Sequence, residues 1–244
     1  MTSLAMTEET MLPAVNVKRA WKNLAEQHPD ELSYETGVKK AAKLRVHRSL
    51  SWIMRAEAFT ESDDADCKFI LSWIALNALY ARWQSDPTSR RHEYEVRNEF
   101  ITHFVKLDEV GRIQAWVKKN RSKCDAILSE EHLQSFYWKE PSRENALRAR
   151  GSSRKVGKSY HSPETIHEVL DPLLERISLL RSQLVHGQST FGSRVNRGIV
   201  ELCAGVVHEF VLQLLCCVVE DNLWRVDELW SDVPFEPMAP LYRK

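Results

Sequence analysis

The sequence predicts an all-α fold, and three observations carry that expectation. Gly (8) and Pro (9) are scarce in 244 residues, which favours long elements joined by short connections over a many-stranded sheet. Apolar residues recur at alternating steps of three and four in the most strongly patterned segments. Helix start and stop signals bracket those segments. A hydrophobic fraction of 43% supplies a sizeable core, and 28% charged residues suits a solvated surface.

The elements follow in order. Residues 1–15 read as a loose terminus. A short helix is expected over 17–27, closed by His28-Pro29-Asp30, and a longer one over 38–59. Glu61-Ser62-Asp63-Asp64 then offers an N-cap and first-turn acids. The next helix carries Phe69-Ile-Leu-Ser-Trp73-Ile-Ala-Leu-Asn77-Ala-Leu-Tyr80, with Ile70, Trp73, Ile74, Tyr80 and Ala81 at helical spacing. Asp86-Pro87 is its expected stop. Two or three shorter helices fit between Arg90 and Phe136.

Residues 139–160 change character. Seven basic residues and two acids give a local charge of +5, read here as a mobile basic loop or cationic arm. Ser162-Pro163-Glu164 then starts a helix, in which Ile166, Leu170, Leu173, Ile177, Leu180 and Leu184 form the clearest stripe in the chain. Pro172 is expected either to kink it or to open a new first turn. Gly187 is its natural stop. A last long helix is expected over 194–222, then an extended proline-rich tail. These boundaries give an N-terminal extension over 1–37, a helical domain over 38–222 and a tail over 223–244.

Charge and cysteine content bound the function. Lys plus Arg and Asp plus Glu both number 34, so net charge does not select nucleic acid and only local charge speaks to it. Cys67, Cys124, Cys203, Cys216 and Cys217 show no C-x-x-C spacing. Residues 1–15 lack the basic-then-apolar order of a secretory signal, so a reducing, cytoplasmic compartment is expected. The longest near-apolar run, 210–219, is far short of the roughly 20 residues of a membrane span, and no membrane association is expected.

Several motifs are set aside. Gly151 and Gly157-Lys158-Ser159 imitate a phosphate loop, but five residues separate the glycines instead of four and no strand precedes them. His208-Glu209 lacks a second histidine at zinc-protease spacing, and neither metal nor cofactor is expected. A Ser-His-Asp site stays open, although no Gly-x-Ser-x-Gly elbow is present.

The segment Leu179-Leu-Arg181-Ser182-Gln183-Leu184-Val185-His186-Gly187 is different. At about 100° per residue, Arg181 lies about 20° from Leu174 and about 40° from Ile177, bordering the apolar stripe. An arginine there is expected to find a partner for its charge. His186 lies about 140° further round the helix from Arg181, so the two meet only by reach along the axis, by the helix ending at Gly187, or through a second copy across a two-fold axis. Asn77, inside its own apolar stripe, is a costly place for an unpaired amide. It is expected in a polar pocket that also receives Arg181. Against these readings stand a structural arginine–carboxylate pair and a histidine favouring the helix dipole.

Arg181-x4-His186 near the end of a helix resembles the hallmark of the HEPN superfamily, and the helix from Phe69 to Tyr80 looks like its counterpart in the Apea-like branch. The resemblance spans roughly residues 40–222. It implies an up-and-down helical bundle of the HEPN type, with extra peripheral helices, that pairs as a homodimer and brings two motifs into one cleft. Many members are metal-independent endoribonucleases acting as toxins or in phage defence; others only bind or scaffold. In that reading His186 exchanges protons and Arg181 holds the phosphate. Ser182 and Asn77 orient them, and Arg148, Arg150, Arg154, Lys155 and Lys158 guide the RNA backbone. An antitoxin or defence-operon partner is expected. Two departures stand out: Ser182 follows the arginine where Asn is common, and Gly187 and Gln188 replace the His-x-Tyr of some toxin members.

Overall fold

A computed structural model describes residues 13–34, 37–60, 64–82, 91–194 and 196–230. The fold is all-helical, 75% of it helix, with no strand among the described residues. The described chain opens with four long helices: α1 (Ala14–Gln27), α2 (Lys40–Glu57), α3 (Ala65–Tyr80) and α4 (Glu93–Leu107). Then come the short α5 (Arg112–Lys119), α6 (Arg121–Ser129) and α7 (Ser135–Lys139), with a 3-10 turn at Glu131–Leu133 before α7. After these, α8 (Arg143–Arg150) and α9 (Ser152–Lys155) lead to α10 (His167–Val185) and α11 (Arg197–Glu220).

The bundle is organised on α3 and α11, which pack on each other and, with α2, hold most of the core. Both are apolar around much of their circumference, as interior helices are. Phe69, Trp73, Leu76 and Leu79 of α3 meet Val207, Phe210, Val211 and Leu215 of α11 within one buried cluster. By length and composition α11 could cross a membrane, with mean hydropathy 2.1, yet 83% of that window is buried in the bundle. The ten-residue run over 210–219 is thus part of a longer apolar helix, whose Glu201, His208 and Glu209 interrupt the pattern in sequence.

Three departures from the sequence reading have local causes. Ala14, Val17 and Trp21 of α1, and Leu223, Trp224, Leu229 and Trp230 beyond α11, belong to the same buried cluster. The core therefore extends past both edges of the 38–222 unit, because these segments carry their own apolar faces. Instead of an extended start to the tail, two 3-10 turns, Leu223–Arg225 and Asp227–Leu229, fold back on the bundle; residues 231–244 lie outside the described residues.

Second, the basic stretch over 139–160 is helical rather than a mobile loop. Ser142 Oγ accepts the Asn145 N–H at 3.2 Å to cap α8, and Gly151 takes a right-handed helical conformation instead of breaking the chain. Buried Ala149 and Tyr160 pin the segment, the latter donating its hydroxyl to Asp125 at 3.0 Å. Third, Pro172 sits inside a continuous α10. The expected stop at Asp86-Pro87 and the cap residues 61–63 lie outside the described residues.

Candidate functional site: the end of α10 and the cleft beside α4

The C-terminus of α10 closes as the glycine predicts. Gln188 N–H donates to the Gln183 carbonyl at 2.8 Å and Gly187 N–H to the Leu184 carbonyl at 3.4 Å, the paired bonds of a Schellman motif. Gly187 supplies the left-handed turn at φ +69°. His186 is therefore the C-cap residue, exposed where the helix's negative end meets solvent. Beyond it the chain is anchored by buried Asp66 of α3, which accepts the Gly192 N–H at 3.0 Å and pairs with Arg197 at 2.8 Å. On the inner face, buried Gln183 donates to the His132 carbonyl at 3.2 Å. The last turn is thus held from both sides while the His186 side chain is exposed.

Arg181 is half-buried. Neither its side chain nor that of His186 has a hydrogen bond or ion pair among the described residues, contrary to the expectation of a structural partner for the arginine. Its electrostatic neighbour is Tyr80, at the end of α3. That hydroxyl is almost wholly buried and hydrogen-bonds to both Asn77 and Glu93. Burial, foremost, and then Glu93 push the phenol well above its usual range, while Arg97 and then Arg181 pull the other way. Asn77 is half-buried, its amide oxygen occupied by Tyr80. Asn77, Arg181 and Arg97 thus gather around one phenol.

The carbonyls that close α3 are held by Arg45 of α2, which is 1% exposed. Its guanidinium donates to Ala78 and Leu79 at 3.3 and 3.2 Å and to Ala81 at 2.7 Å. A buried cation on a helix C-terminus satisfies orphan carbonyls and the helix dipole together. It fixes the turn that presents Asn77 and Tyr80.

Between α4 and α10 lies a cleft of about 770 Å³, which Ser182 lines one residue from Arg181. Glu93, Tyr94 and Arg97 face it from α4, and Asp171, Pro172 and Arg176 from α10. Burial raises the Asp171 carboxyl, against the pull of His167 and Arg97. None of Tyr80, Glu93, Arg97, Asp171 and Arg176 stood out in the sequence. One signal was available: Arg97 occupies the stripe of Phe100, Ile101 and Phe104, where a charge needs a reason.

The five basic residues over 148–158 are all exposed. Arg148 lies over the Phe136 ring at 4.2 Å and Arg150 is 3.7 Å from Glu131. Of their helices, α8 packs on the 3-10 turn that receives Gln183 and contributes Leu133 to the cleft, whereas α9 packs on α6. Arg148 and Arg150 are therefore linked to the α10 end through that turn.

Two other constellations have structural explanations. Ser72, His208 and Glu57 form a chain, with Ser72 Oγ 3.5 Å from Nδ1 and Glu57 3.7 Å from Nε2. Ser72 is 0% and His208 1% exposed, so this arrangement meets no substrate. Asp108, Cys217 and Asp221 bring potential ligand atoms within 4.8 Å of one another despite their sequence spacing. Asp108 already caps α5 by accepting the Arg112 and Ile113 N–H groups at 3.0 and 2.7 Å. Asp221 is held by Arg112 at 2.8 Å, and burial pushes the Cys217 thiol up, away from thiolate. The lone pairs a metal would take are committed to the fold.

Fold and site define an all-α bundle with an exposed histidine at a capped helix end, beside a polar inter-helix cleft. No family model matches the chain, and neither a curated protein nor a solved structure does.

Proposed function

We propose that the chain is an endoribonuclease of the HEPN type, cleaving RNA through its own 2′-hydroxyl. The observation that carries this reading is the state of Arg181 and His186. Both are held on a well-fixed helix end, and neither side chain has a hydrogen bond or ion pair among the described residues. A purely structural arginine beside an apolar stripe would be paired; this one is left to bind an anion.

The chemistry follows from the groups present. The 2′-oxygen attacks the adjacent phosphorus as the bond to the 5′-oxygen breaks, leaving a 2′,3′-cyclic phosphate and a 5′-hydroxyl. His186 accepts the 2′-hydroxyl proton or supplies the proton taken up by the leaving oxygen, a role suited to imidazole near neutral pH. Arg181 offsets the charge that builds on the phosphoryl oxygens. Ser182 offers a hydroxyl at the cleft wall, while Asn77 acts through Tyr80 as a positioning residue. Because one helix does not bring His186 and Arg181 to the same azimuth, the complete site is assembled by a homodimer. Arg148, Arg150, Arg154, Lys155 and Lys158 supply the approach for RNA. The protein acts in the cytoplasm, in toxin or phage-defence systems with an antitoxin or defence partner.

Purified protein incubated with single-stranded RNA in EDTA tests this. Fragments ending in 2′,3′-cyclic phosphate are expected, with a fall of at least a hundredfold in His186→Ala and in Arg181→Ala at unchanged helicity. RNA binding without cleavage would replace this reading with that of a binding or scaffolding module, for which the basic face alone suffices. Absence of both would leave a structural helical protein.

A further inference from the structure

The cleft between α4 and α10 holds an unusual set of unsatisfied atoms. Arg97 is 1% exposed, yet its Nη1 has no hydrogen-bond partner among the described residues. Its Nε and Nη2 go to Asn98 at 3.3 and 3.2 Å, and Glu93 stands 3.8 Å from Nη1. Two more buried atoms without a hydrogen-bond partner belong to residues lining the same cleft: Asp171 Oδ1, and Nε of Arg176, whose Nη1 lies 3.3 Å from Glu175. Buried polar atoms left unpaired cost stability, and each calls for an explanation. Three along one cleft point to a ligand that pairs with them.

The lining narrows the ligand. Carboxylates of Glu93, Asp171 and Glu175 accompany the guanidiniums of Arg97 and Arg176, so a bare phosphate would meet as much repulsion as attraction. A neutral, flat molecule with both acceptors and donors fits better. At the mouth, the rings of His92 and Tyr94 lie nearly parallel, 18° apart with centroids at 5.5 Å. Tyr94 is 51% exposed and offers a surface for stacking. Such a combination of aromatic face, guanidinium and carboxylate is how proteins read unstacked bases in single-stranded RNA.

Among bases, guanine answers the full set. Its O6 and N7 are adjacent acceptors suited to arginine, and its N1–H and N2–H₂ are adjacent donors suited to one carboxylate. Adenine sets a donor beside N7, uracil offers a carboxylate one N–H, and cytosine has no ring N–H. We propose that the α4–α10 cleft is a guanine subsite for single-stranded RNA, with Arg97 and Arg176 as donors, Asp171 as acceptor and Tyr94 as stacking surface. The choice of RNA as source of the base rests on the ribonuclease reading; the base assignment rests on the cleft alone. With Ser182 in its wall, the cleft would place a guanosine next to the scissile bond.

Titration calorimetry with GMP, AMP, CMP and UMP tests the base, and fluorescence anisotropy tests the source. The latter uses His186→Ala protein with a labelled uridine octamer and the same octamer carrying one central guanosine. GMP is expected to bind at least tenfold more tightly than the other three, and the guanosine octamer at least tenfold more tightly than its parent. Asp171→Asn and Arg176→Gln should each lower GMP affinity at least tenfold with unchanged circular dichroism, and neither removes the fully buried Arg97. Equal binding of all four nucleotides, no binding, preference for another base, or indifference to both substitutions overturns the guanine assignment. Tight GMP binding with indistinguishable octamers overturns the RNA source. Guanosine preference without cleavage in EDTA upholds the subsite while refuting the ribonuclease reading, so the two fail separately.

Discussion

His208 is a buried histidine whose environment refuses its proton. Burial, reinforced by Lys68, lowers its pKa to about 4. Glu57 at 3.7 Å would favour the charged ring, but its Oε1 already accepts the Ala14 N–H at 2.7 Å, and desolvation prevails. In the unfolded chain the same imidazole titrates near about 6.5. Below that pH the unfolded state takes up a proton that the folded state does not accept until about pH 4. The stabilisation present above pH 6.5 is therefore lost as pH falls through this window, to a total of about 3 kcal/mol. Urea denaturation at pH 7.5, 6, 5 and 4.5 should show His208→Leu losing less stability on acidification than the unsubstituted chain. Parallel curves would remove His208 as the origin of acid sensitivity.

At the scale of elements, the end of α10 was the most legible part of the chain, because its signals are local. A glycine after a periodic run encodes a left-handed residue just past the C-cap, and the structure forms it at Gly187. The basic stretch misled for a related reason: its charge and its Gly and Ser content describe composition, whereas the Ser142 cap and the anchors Ala149 and Tyr160 act through packing. Gly187 also yields a signed prediction. A Cβ there meets nothing within 4 Å, so Gly187→Ala carries only the backbone penalty of positive φ, about 1–2 kcal/mol. Gly198, in the first turn of α11 and equally open, has no such conformation. Gly198→Ala should therefore raise stability by about 0.5–1 kcal/mol. Thermal melts should move in opposite directions for the two variants. RNA cleavage below the melting transition should fall only for Gly187→Ala, since His186 loses its fixed cap. Melts that shift the same way would refute the cap argument.

At the scale of the molecule, periodicity located the long helices but could not say which faces meet. Tyr80 and Glu93 lie on separate helices, and only the packed bundle joins them to Arg97 and Arg181. The pocket around Asn77 follows from that packing, not from spacing. Arg97 in an apolar stripe was readable as an anomaly, yet its purpose required the cleft. On one helix Arg181 and His186 lie about 140° apart, so in the proposed ribonuclease assembly is part of the chemistry. The surface near His186 carries exposed Val185 and Phe191, at 53% and 66%, in a chain whose other large apolar residues mostly enter the core. Apolar side chains clustered beside polar ones are a common mark of association, and a two-fold axis there would set one His186 toward the Arg181 of the partner. Light scattering should accordingly give twice the 28.3 kDa chain mass. Val185→Glu with Phe191→Glu should give a monomer of unchanged helicity, and cleavage should fall with the dimer fraction. Mixing His186→Ala with Arg181→Ala protein should restore part of the activity, because each mixed dimer retains one intact composite site. A monomeric active chain, or mixed variants that stay inert while exchanging subunits, would place the reaction within one protomer.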